Sequence, residues 1–228
     1  FGERLAGLLH TINDETGDRT VATSGSINLV YGKDKIVEEL LGLDFEISMK
    51  SFFQTNPKCA EKLYNKVVEY VLEDKSKVDN TVVMDLFCGT GTIGQIVASK
   101  SENAQIVGVD IVASAIEDAQ KNAKRNNIHG VQFYAADVGK FLTAHPEYEN
   151  KIKTIILDPA RAGIAPKTLH KIIKLNADRM VYVSCNPATQ ARDTELLREA
   201  GYFLKKISLV DQFPHTAHIE TVVLFEKS

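Results

Sequence analysis

From residue 81 onward, short apolar runs alternate with amphipathic stretches, and this alternation restricts the fold more than any other feature of the chain. The apolar runs are 81–86, 105–110, 131–135, 153–157 and 179–184. Helical spacing of apolar residues occupies 92–100, 113–126, 166–176 and 188–199, and two β-rich segments, 202–210 and 219–226, close the chain. Strands alternating with helices predict an α/β domain, a doubly wound and mostly parallel sheet covered on both faces. Ligands of such sheets sit beyond the carboxyl ends of the strands. The residues that follow each strand are therefore where function is to be sought.

The region before residue 81 reads differently. Asn56-Pro57 supplies a helix cap and a first-turn proline, and Ala60, Leu63, Val67, Val68, Val71 and Leu72 follow at helical spacing. Upstream, Ser26 to Tyr31 and Leu43 to Ile47 are β-like and the Gly32-Lys33-Asp34 turn lies between them, which predicts a piece of a sheet lacking its partners. A chain of 228 residues that is 44% hydrophobic can bury a core without disulfides or metals. With 27 Lys and Arg against 30 Asp and Glu, a uniformly basic nucleic-acid coat is excluded, whereas a locally basic face is not. Lys121, Lys124, Arg125, Arg161 and Arg192 are the candidate phosphate contacts. The three cysteines have no framework spacing, no apolar run reaches the roughly 20 residues of a membrane span, and Phe1-Gly2-Glu3-Arg4 is no signal peptide. The expectation is a soluble, cytoplasmic, monomeric protein without membrane contact, and Phe1 in place of Met predicts a piece of a longer one.

The first run of the alternation ends in Asp85-Leu86-Phe87-Cys88-Gly89-Thr90-Gly91-Thr92-Ile93-Gly94, with glycines at the spacing of a nucleotide-binding turn. The second ends in Asp110, where a carboxylate can accept both hydroxyls of a ribose, and the third is followed by Asp137, which can accept an adenine amine. Together they predict an adenosine-containing ligand. Charge separates the two common ones: Asp85 would repel the pyrophosphate of NAD and attract the sulfonium and amine of S-adenosylmethionine. Asp158-Pro159 follows the fourth run, and proline restrains its predecessor to extended backbone, so the carboxylate can hold a pyrimidine N–H. Cys185 ends the fifth, next to Asn186-Pro187 and a helix start, where Arg161 or Arg192 would push the thiol toward thiolate; it is the candidate nucleophile. Cys88 and Cys59 read as structural. His215 and His218 have no third ligand nearby in sequence, so no metal site is expected. Glu220 either faces solvent or is held for proton transfer.

At this point four blocks resemble the RNA 5-methyluridine (uracil-5) methyltransferases, in that family's order. They are Ser51-Phe52-Phe53-Gln54-Thr55-Asn56; Asp85-Leu86-Phe87-Cys88-Gly89-Thr90-Gly91; Asp158-Pro159-Ala160-Arg161-Ala162-Gly163 with Ser184-Cys185-Asn186-Pro187; and Phe213-Pro214-His215-Thr216 with His218-Ile219-Glu220. The resemblance implies a Rossmann-like fold and methyl transfer from S-adenosylmethionine, leaving S-adenosylhomocysteine, to carbon 5 of a uridine in RNA, 23S ribosomal RNA ahead of transfer RNA. It implies that Gln54 contacts the methionine part of the donor and that Phe87, Thr92, Asp110 and Asp137 line its pocket beside Asp85, Gly89 and Gly91. Asp158 would lie between donor and uracil, Cys185 would be the nucleophile and Glu220 the base. Two departures are Ala160 and Thr92, where the family often has Pro and Asn. Family members usually carry an RNA-binding β-barrel and a complete central domain upstream, some with an iron–sulfur cysteine cluster. Residues 1–50 would then be the remnant of the central β-rich domain and 51–228 the catalytic domain. An amino-directed nucleic-acid methyltransferase and an NAD-dependent oxidoreductase are the alternative readings, and a binding module with a decayed catalytic half is a third.

Overall fold

A computed structural model describes residues 5–12, 27–49, 52–101 and 103–228. Ser26 and Ser51 of the sequence blocks, and Phe1 to Arg4, lie outside the described residues. The strands of the main sheet are β5 (Val82–Leu86), β6 (Gln105–Asp110), β7 (Val131–Ala135), β8 (Ile152–Leu157), β9 (Arg179–Ser184), β10 (Tyr202–Val210) and β11 (Glu220–Lys227). Their order is β10-β11-β9-β8-β5-β6-β7. Neighbours from β9 to β7 are parallel, while β11 runs antiparallel to β9 and β10 antiparallel to β11. The predicted α/β doubly wound, mostly parallel sheet is what forms. The chain moves outward from β5 through β6 to β7, then crosses back to place β8 on the other side of β5. That reversal is the topological switch point, where the carboxyl edge opens a crevice.

Helices cover both faces because the strands are apolar on both. On one side Val83, Ile106, Ile156, Val181, Val183, Val222 and Leu224 form a core with α1 (Pro57–Leu72) and α2 (Thr92–Lys100). Phe133 packs under Ile116, Ala119 and Ala123 of α3 (Ala113–Arg125) on the same side. On the other side Met84, Leu86, Val107, Val109, Ile155, Leu157, Met180, Tyr182, Val223 and Phe225 meet α4 (Val138–Ala144), α5 (Pro166–Lys174) and α6 (Pro187–Glu199). Asn56 caps α1 as expected, its side chain accepting from the Cys59 N–H at 3.3 Å. Helix α4 is not among the predicted elements; Asp137 caps it by accepting from the Lys140 N–H at 2.8 Å.

Upstream lie two antiparallel hairpins, β1 (Gly7–Thr11) with β2 (Ile27–Gly32) and β3 (Lys35–Leu40) with β4 (Leu43–Ser48). Neither β1 nor β3 was expected. The outer backbone of β4 is met by side chains of α3 and its C-terminal cap. Asn122 and Asn126 accept from the Glu46 and Asp44 N–H groups, both at 2.8 Å, and their amides donate back to the same residues' carbonyls. Leu40, Leu43 and Phe45 are buried in the same core as α1.

Gly108 of β6 is where the packing against Phe133 is tightest. A Cβ there would stand 2.4 Å from Cδ1 of Phe133, and one on Gly91 would stand 2.5 Å from the same ring's Cε1. With the ring wedged between two glycines, Gly108→Ala has no low-energy relief. We expect it to lower stability by about 1–3 kcal/mol, the usual cost of overpacking, read as a lower denaturant midpoint at unchanged m. Phe133→Leu in the same chain should recover part of the loss.

Candidate active site

Alternation along the strands decides which side chains meet. Residues 83, 106, 156, 183 and 222 point into the α1/α2 core, and a strand repeats its face every second residue. Continuing that count to the carboxyl edge puts Asp85, Asp110, Asp158, Cys185 and Glu220 on one face, the face covered by α1 and α2. Glu220 joins although it starts its strand, because β11 is antiparallel. The ladder ends in the pair Thr221 and Ser184, and Glu220 and Cys185 adjoin that pair, close enough for the glutamate charge to act on the thiol. The helical side contributes Tyr64 of α1 and, just before that helix, Gln54; both are buried.

The loop after β5 is held from three directions. Phe87 has φ +64, a left-handed conformation that costs a bulky residue about 1–3 kcal/mol. Its N–H donates to the Val109 carbonyl at 2.9 Å, and its ring packs on the core below. Asp110 accepts from the Gly89 N–H through one oxygen and from the Val112 N–H through the other, each at 2.9 Å. Its carboxylate is thereby fixed in direction, with lone pairs left for a ligand. Gly89 has φ +53, and the space beside its Cα is open. Thr92 begins α2, and its hydroxyl lies 3.0 Å from that of Thr90. Gln95, which the sequence reading did not single out, is fully buried and donates to the Thr90 and Ala119 carbonyls, leaving its Oε1 unpaired.

Asp85 is less exposed than a residue at the mouth of a cleft would be, at 1%. Its Oδ2 accepts from the Gly94 N–H at 2.9 Å, tying β5 to α2. Burial, with Asp110 adding repulsion, pushes its pKa up to about 7 despite that hydrogen bond. Asp158 is pushed to about 8 by loss of water and then by the charges of Asp85, Glu220 and Asp110. Burial raises Glu220 as well. Both aspartates therefore keep protons in the fold that the unfolded chain releases near its ordinary value of 3.8. Their contribution is favourable at low pH and is lost as pH rises from about 4 to about 8. In the ligand-free chain, Asp158→Asn should flatten this decline, which chemical unfolding at a series of pH values would measure; an unchanged slope would contradict the assignment.

Cys185 is partly exposed, but the expected lowering of its pKa is not found. Burial raises it first, then Glu220 and Asp158; the opposing pull of Arg161 is weaker. Arg192 does not serve the thiol. It pairs with Asp193 at 2.7 Å and donates to the Ala162 and Ile164 carbonyls. Asp193, 1% exposed, also accepts from the Ile164 N–H and the Tyr182 hydroxyl. Asn186 and Thr189 donate to the Arg161 carbonyl. The start of α6 thus clamps the 161–164 stretch that follows Asp158 against the end of β9. Arg125 is likewise engaged, with Glu46 at 2.7 Å, whereas Lys121 and Lys124 are exposed. Asp137 lies beyond β7 but caps α4. His215 and His218 are both exposed.

Residues 77–219 match the family described as "Methyltransferase domain". The chain belongs to that family. This methyltransferase-domain chain is 47% identical over 219 residues to an uncharacterized RNA methyltransferase of Clostridium tetani, covering 96% of this chain and 46% of the relative. It is 46% identical over 223 residues to one of Clostridium acetobutylicum, covering 98% and 46%. The chain spans about half the length of the curated relatives it matches. Among solved structures, the tRNA (uracil-54, C5)-methyltransferase of Pyrococcus abyssi, in complex with S-adenosyl-L-homocysteine, superimposes with a TM-score of 0.76 at 33% identity, covering 96% of this chain and 50% of that one. The methyltransferase fold seen here is thus the Rossmann-like fold of S-adenosylmethionine-dependent enzymes.

Proposed function

We propose that this methyltransferase domain transfers a methyl group from S-adenosylmethionine to carbon 5 of a uridine in RNA, with Cys185 as a covalent nucleophile. The observation that carries the reading is the end of the β9–β11 ladder, where a cysteine and a buried glutamate adjoin the last pair on the face holding Asp85, Asp110 and Asp158. The names of the relatives agree with it.

The site fits the donor by charge and by space. Asp85, Asp158 and Glu220, whose burial resists ionisation, together with the Asp110 carboxylate, are suited to a cationic ligand, and a pyrophosphate would worsen the repulsion. The open space beside Gly89 gives such a ligand backbone contact with the loop. Asp110 would take the ribose hydroxyls, Asp85 and Gln54 the methionine end, and Phe87, Gly91, Thr92 and Asp137 the rest of the wall. When bound, S-adenosylmethionine supplies an electrophilic methyl on a sulfonium.

Uracil carbon 5 is a poor nucleophile because its π-electrons are drawn into the ring carbonyls. Addition of the Cys185 thiolate to carbon 6 forms a C–S bond and moves the ring electrons into an enolate whose charge appears at carbon 5. That carbon takes the methyl as the methyl–sulfonium bond breaks, leaving neutral S-adenosylhomocysteine. Carbon 5 still carries a proton, which the Glu220 carboxylate removes. The released electron pair re-forms the C5–C6 double bond and expels the Cys185 thiolate. Asp158, close enough to the nucleophile for its charge to act on the thiol, accepts from or donates to the uracil edge. Since a uracil in stacked RNA is out of reach of this crevice, the target base must first be turned out.

The reading is tested by incubating the chain with isotopically labelled S-adenosylmethionine and unmodified ribosomal or transfer RNA, then digesting to nucleosides. Label in 5-methyluridine is expected. Label confined to a methylated amine of adenine, cytosine or guanine would instead select amino-directed chemistry.

A further inference from the structure

We propose that a groove beside the active site, between the start of α1 and the turn that precedes β11, binds a nucleobase flanking the methylated nucleotide on the same strand. The proposal rests on the RNA reading above and adds a second base-binding subsite to it. The groove has a volume of about 620 Å³ and is walled by Asn56 and Lys58 on one side, Gln212, Phe213 and Pro214 on the other, and Glu38 of β3. Its volume is in the range of small-ligand clefts and is ample for a base together with its sugar. Phe213 and Pro214 offer an apolar surface against which a base can stack, and Glu38 and the second amide hydrogen of Asn56, whose first goes to the Gln212 carbonyl, offer hydrogen-bonding groups to its edge. Lys58 is exposed and suits an adjoining phosphate.

Two further observations point to a ligand here. Gln212 is fully buried, yet its Oε1 has no hydrogen-bond partner. Its amide donates at long range, 3.4 Å to Gln54 Oε1 and 3.3 Å to the Asn56 carbonyl. A buried acceptor without a donor is costly; Gln212 lies beneath the groove surface, and a turn of its side chain toward the groove would let the N–H or amine edge of a base satisfy it. The second observation is continuity. Gln212 bonds to Gln54 at the acidic crevice, and the turn after it leads into Glu220. A base in the groove and a base in the crevice would thus be gripped by one connected set of side chains, as neighbouring nucleotides of one strand require.

The test uses the full chain, fluorescence anisotropy and single-stranded RNA heptamers with a central uridine, in which each flanking base in turn is replaced by an abasic residue. One abasic position should weaken binding on the order of tenfold, the effect of losing one stacked base. Phe213→Ala should weaken the intact heptamer by the same factor and leave that abasic heptamer unchanged. Lys58→Gln, a surface change with no folding risk, should reduce the salt slope of log affinity by about one. Equal losses on intact and abasic RNA, wild-type affinity in both variants, or no binding of the heptamer by the wild-type chain would each overturn the proposal. Adduct formation with 5-fluorouridine RNA separates the two claims. Its absence alongside a Phe213-dependent abasic effect would sink the uracil chemistry and leave the groove standing.

Discussion

Cys185→Ala is expected to abolish methyl transfer and to form no covalent complex with RNA containing 5-fluorouridine, which has no removable proton at carbon 5 and so would trap the adduct. The loss in rate should be on the order of 10⁶, the scale reached when a covalent nucleophile is deleted. The fold should survive, because the side chain is partly exposed at the end of β9 and leaves no core cavity. Binding of S-adenosylmethionine by the variant, measured calorimetrically, should be retained or slightly improved. The wild-type adduct rate carries a second signature. Because burial, Glu220 and Asp158 all hold the thiol above its ordinary pKa, adduct formation without the sulfonium ligand should climb with pH beyond the normal thiol range. Adding the cationic ligand should shift that rise to lower pH. A Cys185→Ala enzyme that still methylates RNA would end the covalent mechanism.

Glu220→Gln should separate the two halves of the reaction. The amide keeps the size of the buried side chain but cannot take the proton from carbon 5, so release should slow by about 10²- to 10⁴-fold. Methylated RNA bound to Cys185 should accumulate as a band that survives denaturing electrophoresis. Removing a negative charge near the thiol should also make the first step easier, moving adduct formation to lower pH. A merely structural glutamate would give neither the trapped species nor the pH shift. Rapid turnover by this variant would remove Glu220 from its role.

Much of the crevice was legible because strand ends are legible. Apolar runs fix where each strand stops, and Asp85, Asp110, Asp158 and Cys185 are what stand there. Their common face follows from even spacing within strands once the sheet is aligned, but one sequence does not give that alignment. For Glu220 the missing information was strand direction: an antiparallel β11 turns a residue at a strand start into one at the carboxyl edge. The helix α4 escaped because it spans only 138–144 and contains Gly139; its signal was Val138, Phe141 and Leu142 at helical spacing beside a capping Asp. Tyr64 sits on the stripe of Ala60, Leu63, Val67 and Val68 and was legible as core, though not as part of the crevice wall. The direction of the Cys185 shift could not be read in sequence, because it depends on how many acids share the space around the thiol and on Arg192 being committed to Asp193.

The antiparallel ladder between β9 and β11 also divides the chain into parts that can and cannot change length. The stretch joining Cys185 to Glu220 includes surface turns that can absorb insertions and deletions while leaving both ends in place. Within β11 itself a single added residue would slide the ladder by one step and swing the carboxylate to the opposite side of the sheet. Evolution is therefore free to lengthen the connection, whereas the reading frame of eight residues from Glu220 to Lys227 must hold for thiol and acid to stay together.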